Sequence, residues 1–423
     1  MKIPESIQKH AAQYAEKLQS IDPKLAQMYQ KCYVNTAETA LTAVDDGSYF
    51  VLTGDIPAMW LRDSTAEVSH YIPLAAEDPA VAAIIKGVIK RQQAYIQIDP
   101  YANAFKLQPD DHREYNDFPR CLPIVWERKY EIDSLCYPIR LAYLYWTATG
   151  DRSILDDDFI ACANSIVHLW IDEQRHDQNS AYRFVRYDSD ETGLPCDGRG
   201  NETVYTGMTW SGFRPSDDAC RYGYLVASNM FAVVVLGYLE TMLDAAGYHA
   251  LDDKIRKLKA DIDSGIQNYA VIEHNGKKIY ACEVDGKGNA FAFDDANVPS
   301  LLSAPYLGYC KKDDPLYQNT RAFILSPDNP YYYEGKYARG VGSPHTPEGY
   351  IWHIALSMQG LTSDDPAEIK EILQMFADTD AGTLLVHEGF DPNDPTQYTR
   401  SWFSWSCALF SELCEKAADL FAE

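Results

Sequence analysis

Amphipathic helical patterns recur along almost the whole chain of 423 residues, and loops rich in glycine, proline and aromatic residues separate them. In the last pattern Trp402, Trp405, Leu409, Leu413 and Leu420 follow one another at helical spacing, which places a single apolar stripe along a helix. Similar patterns predict about twelve helices, over residues 5–31, 61–74, 80–98, 133–148, 153–174, 216–246, 249–270, 295–303, 315–325, 349–360, 366–378 and 400–421. Strand signals are few and short, and the clearest is a hairpin around Asn275-Gly276.

About twelve helices fit either a helical solenoid or a double ring of helices, the (α/α)6 barrel. A solenoid shows a repeat at a fixed period, and this sequence has none. The unusual chemistry lies in the loops, as in a barrel whose active site is built from loops at one end. No linker separates two parts of the chain. The sequence therefore predicts an all-α fold, a single (α/α)6-barrel catalytic domain over residues 1–423 with a few short hairpins.

The charge balance argues against a nucleic-acid partner. Asp and Glu outnumber Lys and Arg by 62 to 37, and the net charge is −25. Such a surface repels a phosphate backbone unless a local basic patch exists, and the sequence contains none.

Localisation is predicted from apolar stretches and cysteines. The longest apolar stretch, Leu225 to Leu243, contains Ser228, Asn229 and Glu240, so it is interpreted as a buried helix rather than a membrane span. The N-terminus lacks the apolar core of a signal peptide. Ten cysteines without any Cys-x-x-Cys motif are typical of free thiols in a reducing compartment. These features predict a soluble cytoplasmic protein with no membrane partner.

Three loops combine carboxylates with aromatic side chains. The first, Thr53 to Thr65, packs Trp60, Arg62 and Asp63 into four residues. An Arg–Asp pair can hold vicinal hydroxyls while an indole stacks on a sugar ring. An interior salt bridge covered by tryptophan would have the same sequence.

The second loop, Trp210 to Cys220, leads into the most hydrophobic helix. Ser216 is expected to cap that helix, which would place Asp217 and Asp218 in its first turn. One acid would then complement the helix dipole, and the other could face a cavity and donate a proton.

The third loop, Leu385 to Trp402, presents Glu388 directly before Gly389, with His387, Asp391 and Asp394 as rivals. A solvated acidic loop is the alternative reading here. Two further loops support the site. Gly340 to Pro347 presents His345 between prolines, and Trp126 to Asp133 could either line a cavity or cap a helix.

Several other chemistries lack their motifs. The sequence has no Gly-x-Gly-x-x-Gly, no phosphate-binding Gly-x-x-x-x-Gly-Lys, no Gly-x-Ser-x-Gly and no His-Glu-x-x-His. No metal-ligand spacing recurs, so no metal and no cofactor are expected. Two carboxylates on separate loops, surrounded by Trp, Tyr, Arg and Asp, are the groups that cleave a glycosidic bond.

The motifs Gly54–Ser64, Phe213–Asp218, Gly342–Thr346, His387–Asp391 and Ser401–Trp405 together resemble those of glycoside hydrolase family 125, in the same order across nearly the whole chain. The resemblance implies an (α/α)6 barrel and a metal-independent, inverting exo-α-mannosidase. Such an enzyme removes terminal α-1,6-linked mannose, as found in N-glycans, so the expected partner is a mannose-containing oligosaccharide.

Carried over by motif, Glu388 is the general base and an aspartate of the Arg-Pro-Ser-Asp-Asp segment is the general acid. Asp218 is preferred because Asp217 lies closer to the expected cap. Trp60, Arg62, Asp63 and His345 would then bind the terminal mannose. The alternatives are a glycosidase or glycoside phosphorylase acting on another sugar, and a non-catalytic carbohydrate-binding protein.

Overall fold

The computed structural model describes residues 2–187 and 193–421, and within these ranges twelve helices have nine or more residues. They are α1 (Glu5–Leu18), α2 (Pro23–Asn35), α3 (Leu61–Ser69), α4 (Pro79–Ile98), α5 (Ile132–Thr149), α6 (Asp157–Glu173), α7 (Val226–Ala246), α8 (Asp252–Gly265), α9 (Pro315–Ile324), α10 (His353–Leu361), α11 (Pro366–Asp378) and α12 (Ser404–Phe421). Shorter helical segments lie at Thr36–Ala40, Ile72–Leu74, Arg152–Ile154, His176–Asn179, Pro195–Gly198, Ile266–Ala270 and Ala304–Leu307.

The strands are short and form seven small sheets of antiparallel pairs. The two-stranded sheets pair Leu41–Ala43 with Tyr49–Val51, Val271–His274 with Lys277–Tyr280, Tyr332–Glu334 with Arg339–Val341, Ile351–Trp352 with Gly389–Phe390, and Asp117–Phe118 with Val185–Arg186. The three-stranded sheets join Met59–Trp60, Ala104–Phe105 and Val125–Glu127, and Tyr224–Leu225, Glu283–Val284 and Ala290–Phe291. The hairpin predicted around Asn275-Gly276 is confirmed.

Buried and half-exposed helices alternate along the chain. The more buried set is α3, α5, α7, the turn Ala304–Leu307, α10 and α12, and we call these the inner helices. Successive inner helices pack together: α3 on α5, α5 on α7, α7 on the turn Ala304–Leu307, α10 on α12, and α12 on α3. The outer helices alternate with them along the chain: α2 precedes α3, and α4, α6, α8, α9 and α11 each lie between two inner helices.

Five of the six outer helices begin at an aspartate that accepts hydrogen bonds from the first backbone N–H groups. These caps are Asp22, Asp78, Asp156, Asp314 and Asp365. In α2, α4, α9 and α11 a proline follows the cap, where its fixed φ and missing N–H suit the first turn. The outer helices are therefore determined locally, by residues at their own ends.

Several predicted helix boundaries are wrong, and four of them show why. The range 5–31 contains two helices, since Asp22 and Pro23 begin a second one. The helix predicted over 216–246 begins only at Val226, because residues before it form a tight turn and a short strand. Residues 295–303 form turns, and the helix there is the single turn Ala304–Leu307. The helix predicted over 153–174 begins only at Asp157, where Asp156 caps it.

The apolar helix α7 runs through the protein interior. By length and composition alone it could cross a membrane, but 67% of its most apolar window is buried inside the molecule. On this helix Leu236, Leu239 and Leu243 are fully buried. The side chain of Asn229 hydrogen-bonds to the backbone of Thr209. The interpretation of this stretch as a core helix is confirmed.

Candidate active site

The segments that lead into the inner helices carry the predicted site residues. Trp60, Arg62 and Asp63 lie at the start of α3, where Met59–Trp60 pairs with Ala104–Phe105. Asp217 and Asp218 precede α7, His345 precedes α10, and Glu388 precedes α12. The inner helices thus bring together side chains that are more than 300 residues apart in the sequence.

Asp217 and Asp218 lie in a tight turn rather than in a helix. The backbone N–H of Arg214 donates to the carbonyl of Asp218 at 2.8 Å, and the N–H of Asp217 donates to the carbonyl of Arg214 at 2.9 Å. Asp217 has a φ of 67°, a left-handed conformation that is uncommon for a residue other than glycine. The expected Ser216 cap is therefore wrong, and so is the reason it supplied for preferring Asp218.

Arg62 is the centre of a buried cluster of acids. Its Nη1 donates to Glu131 at 2.6 Å and to Asp133 at 3.0 Å, its Nη2 donates to Asp217 at 3.3 Å, and its Nε lies 3.4 Å from Asp63. The side chain is only 3% exposed. A buried guanidinium needs such partners to offset its desolvation. The guanidinium therefore fixes the carboxylate of Asp217 against the start of α3.

Asp217 also forms a hydrogen-bonded pair of carboxyl groups with Glu131. Burial alone would raise its pKa, but a hydrogen bond with Glu131 and the charges of Lys129 and Arg62 lower it. The pKa of Glu131 moves in the opposite direction, because burial and the adjacent Asp217 raise it against the opposing charge of Arg62. When two carboxyl groups share a site, one keeps its proton. Asp217 and Glu131 therefore hold one proton between them.

Asp218 faces His345 instead. Nδ1 of His345 lies 3.2 Å from Oδ1 of Asp218, and Ser216 donates to the other carboxylate oxygen at 3.3 Å. Burial alone would lower the pKa of His345, but the hydrogen bond with Asp218 and the charges of Asp218, Glu388 and Asp217 raise it to about 9. His345 is consequently an imidazolium at neutral pH, among three acids.

The side chain of Glu388 is more buried than that of Asp218. Thr399 donates to its Oε2 at 3.0 Å, and Nη1 of Arg400 lies 3.9 Å from Oε1. Burial raises the pKa of Glu388 against the opposing charges of Arg400 and His345. A carboxylate whose pKa is brought closer to neutral is suited to accept a proton from water. Burial likewise raises the pKa of Asp63 to about 6, against the charge of Arg62.

These residues line two adjoining cavities. The inner cavity is lined by Thr53, Ile56, Trp60, Arg62, Asp63, Pro215, Ser216, Asp217, Asn297, His345, Trp352, Glu388, Arg400, Phe403 and Trp405. The outer cavity, of about 960 Å³, shares Ile56, Trp60, Asp217 and His345 with it. Of the two adjacent aspartates only Asp217 lines either cavity. The inner cavity is the smaller of the two, and buried Trp352, Phe403 and Trp405 belong to its lining.

Sequence reasoning missed several lining residues. Trp352 and Trp405 looked like core positions of helices, and Arg400 had no recognisable motif, although its Nε donates to Asp55 at 2.8 Å. Asn103, whose amide donates to Asp217 at 3.3 Å, had no sequence signal at all. Glu131 and Asp133 did have a sequence signal, because they belong to the charged segment before α5 for which the sequence allowed a position along a cavity.

The described residues contain no group of three or more His, Cys, Asp or Glu side chains placed to hold a metal ion. The site therefore consists of carboxylates, one imidazolium, two arginines and aromatic rings. A pocket of this composition at the ends of inner helices defines a carbohydrate-active enzyme of the glycosidase class.

Comparison with known proteins identifies the family. Residues 22–414 match the family model described as metal-independent alpha-mannosidase of glycoside hydrolase family 125, and the chain belongs to this family. It is 38% identical over 417 residues to the meiotically up-regulated gene 157 protein of Schizosaccharomyces pombe strain 972, across 93% of this chain and 82% of that protein.

Solved structures agree on the fold. A Streptococcus pneumoniae protein of the metal-independent α-mannosidases, in a non-productive complex with α-1,6-mannobiose, superposes with a TM-score of 0.95 at 48% identity, over 99% of this chain and all of that one. A bacterial glucoamylase bound to acarbose superposes with a TM-score of 0.60 at 11% identity, over 97% of this chain and 58% of that one. The fold is thus mostly helical and shared with (α/α)6 glycosidases.

Proposed function

We propose that the protein is an exo-α-1,6-mannosidase that hydrolyses terminal mannose from N-glycan-derived mannosides. The observation that carries the proposal is the inner cavity, where Glu388 and Asp217 line one pocket with Trp60, Arg62 and His345. Family membership supports it, and so does the α-1,6-mannobiose bound to the Streptococcus pneumoniae relative.

The terminal mannose occupies the inner cavity in this proposal. Its ring stacks on a buried indole, and its hydroxyls are held by Arg62, Asp63 and His345. Arg62 is already fixed by three carboxylates, so it loses little freedom when the sugar binds. In this proposal the small inner cavity, lined by the buried rings of Trp352, Phe403 and Trp405, accepts a single sugar unit, so the enzyme acts from the end of the glycan.

Hydrolysis then proceeds by a single displacement with inversion. Glu388 takes a proton from a water molecule, which attacks the anomeric carbon. An acid on the opposite side protonates the glycosidic oxygen as the bond breaks. The raised pKa of Glu388 brings this base closer to neutral pH than an exposed glutamate. The proton removed from water and the proton given to the leaving group balance over one turnover.

Two aspartates compete for the role of general acid. The sequence prediction of Asp218 stays a prediction, and its contact with the His345 imidazolium places it next to a proton donor. Asp217 has the stronger position, because its carboxylate lines both the inner and the outer cavity. In an unliganded site position weighs more than pKa. We therefore propose Asp217 as the first candidate and Asp218 as the second.

The experiment is incubation of the protein with α-1,6- and α-1,2-linked mannobiose, with and without EDTA, followed by NMR of the first-formed anomer. We expect mannose from the α-1,6 compound, unchanged by EDTA and released as the β-anomer. No mannose from this compound would refute the proposal. A requirement for inorganic phosphate would identify a phosphorylase instead.

Three further expectations belong to this proposal. The inner and outer helices close into an (α/α)6 barrel within a single domain, as in the glycosidases that share the fold. All ten cysteines are free thiols, eight of them buried, which supports a reducing compartment such as the cytoplasm. Neither nucleic acid nor a membrane is a partner.

A further inference from the structure

A third cavity continues the path that leads out of the active site. It has a volume of about 420 Å³, is lined by Arg113, Glu114, Tyr115, Asn116, Asp117, Arg120, Cys121 and Trp126, and we call it the distal cavity. The outer and distal cavities share Glu114, Tyr115 and Trp126. The inner, outer and distal cavities therefore form one series.

An aromatic ring lies at each boundary in this series. Trp60 lines both the inner and the outer cavity, and Tyr115 and Trp126 line both the outer and the distal one. Tyr115 is 39% exposed, and the guanidinium of Arg186 lies 3.6 Å from the centre of its ring. The arginine supports one face of this ring and leaves the rest accessible to a ligand. Aromatic faces spaced along a groove bind successive sugar rings.

The charges along the groove favour a neutral ligand. Lys106 pairs with Asp110, Lys129 lies 3.5 Å from Glu127, and Arg186 donates to Asp117 and Glu127 at 2.7–2.8 Å. Each of these cations is already neutralised by a carboxylate. Arg113 and Arg120 have no carboxylate partner among the described residues. The outer and distal cavities together are nevertheless lined by six acids and five lysine or arginine residues, so the groove has no excess of positive charge to attract an anion such as a phosphate.

The size of the groove exceeds what a disaccharide needs. In the proposed reaction one mannose fills the inner cavity and the next unit lies just beyond the scissile bond. The outer cavity of about 960 Å³ is at the upper end of the range for whole small-molecule ligands. A single leaving sugar would leave most of the outer cavity and all of the distal cavity empty.

We propose that the outer and distal cavities bind the leaving-group side of a linear neutral oligomannoside at least two units beyond the cleaved bond, with Trp126 and Tyr115 as its stacking platforms. The inference rests on the proposed function and names its substrate class. It makes these two aromatic residues determinants of chain-length specificity, while the inner cavity selects the terminal mannose.

The test compares α-1,6-linked mannobiose, mannotriose and mannotetraose as substrates. We expect kcat/KM to rise about tenfold from mannobiose to mannotriose, mainly through KM, the effect of one well-stacked sugar. Trp126→Ala and Tyr115→Ala should each lower kcat/KM more for mannotriose than for mannobiose. Tyr269→Ala, at an exposed tyrosine outside all three cavities, is the control and should change neither.

Binding to the Glu388→Gln variant separates this inference from the proposed function. We expect mannotriose to bind this variant about tenfold more tightly than mannobiose, whether or not the wild-type protein hydrolyses either. Equal Kd values for the two would overturn the inference, as would equal losses for both ligands in Trp126→Ala. Failure of hydrolysis with a tenfold Kd difference would refute the activity alone.

Discussion

The outer and inner helices differ in how their N-terminal ends are capped. Five outer helices begin at an aspartate cap, and four of these have proline directly after it. The inner helices α3, α5, α7 and α10 have no side-chain cap at all. Each of these four follows a short strand or a charged segment that lines the site.

This difference shows that the starts of the inner helices are locally less stable than those of the outer helices. At the start of α3 the Arg62 and Asp63 side chains are buried, and Oδ2 of Asp63 has no hydrogen-bond partner. The turn before α7 holds Asp217 at positive φ. Both arrangements cost free energy and persist only because the surrounding structure enforces them. The contacts that enforce them come from other segments of the site, since Glu131 and Asp133 hold Arg62, and Arg62 holds Asp217.

The largest expected effect is at Glu388. Glu388→Gln keeps the volume and the hydrogen bond from Thr399 but removes the base, so turnover of α-1,6-mannobiose should fall about 100-fold or more. The thermal midpoint should stay close to that of the wild type. Glu348→Gln, an exposed glutamate on the loop that carries His345, is the matched control and should leave turnover unchanged. A variant that retained more than about a tenth of wild-type turnover would contradict the assignment.

The next effect separates Asp217 from Asp218. We expect Asp217→Asn to lower turnover about 100-fold and Asp218→Asn to lower it less, because only Asp217 lines the cavities. Steady-state kinetics should be measured with α-1,6-mannobiose and with an activated aryl mannoside, whose leaving group needs little protonation. The variant that lacks the acid should recover on the aryl mannoside. Recovery by Asp218→Asn instead would establish Asp218 as the acid.

The smallest effect belongs to an outer cap. Asp365→Ala removes the hydrogen bond that Ala367 N–H donates to Asp365 at 2.9 Å, and it should lower the free energy of unfolding by about 1 kcal/mol. Chemical denaturation measures this loss. The kcat/KM should not change, since Asp365 lines none of the site cavities. If activity fell much more than stability, the start of this outer helix would have a role in the active site, which would contradict the difference described above.

The same difference between outer and inner helices determines which helix boundaries could be predicted from the sequence. Outer helices such as α4 and α11 could be predicted within a residue or so, because cap, proline and apolar period all lie in neighbouring residues. The start of α7 could not, because the turn before it is held by long-range contacts, of Asp217 with Arg62 and of Arg214 with Glu283. Ser216 and Asp217 have good helix-starting chemistry, and tertiary contacts override it.

For the site, the sequence showed which loops mattered and the structure showed which side chains meet. Trp60, Arg62, Asp63, His345 and Glu388 all line the inner cavity, and their roles in binding and catalysis stay predictions. The contribution of Glu131 and Asn103 to fixing Asp217 was invisible, because their contacts span 86 and more residues and follow no local pattern.

The amino-acid sequence by itself determined the helical fold, its capped outer helices and the family to which its loop motifs belong, since each depends on residues close together in the chain. Only the tertiary structure decided which of two adjacent aspartates reaches the cavity and where the groove leads beyond it. The reason is physical: the direction of a side chain in a turn and the shape of a cavity depend on buried partners from distant segments, and no local pattern encodes them.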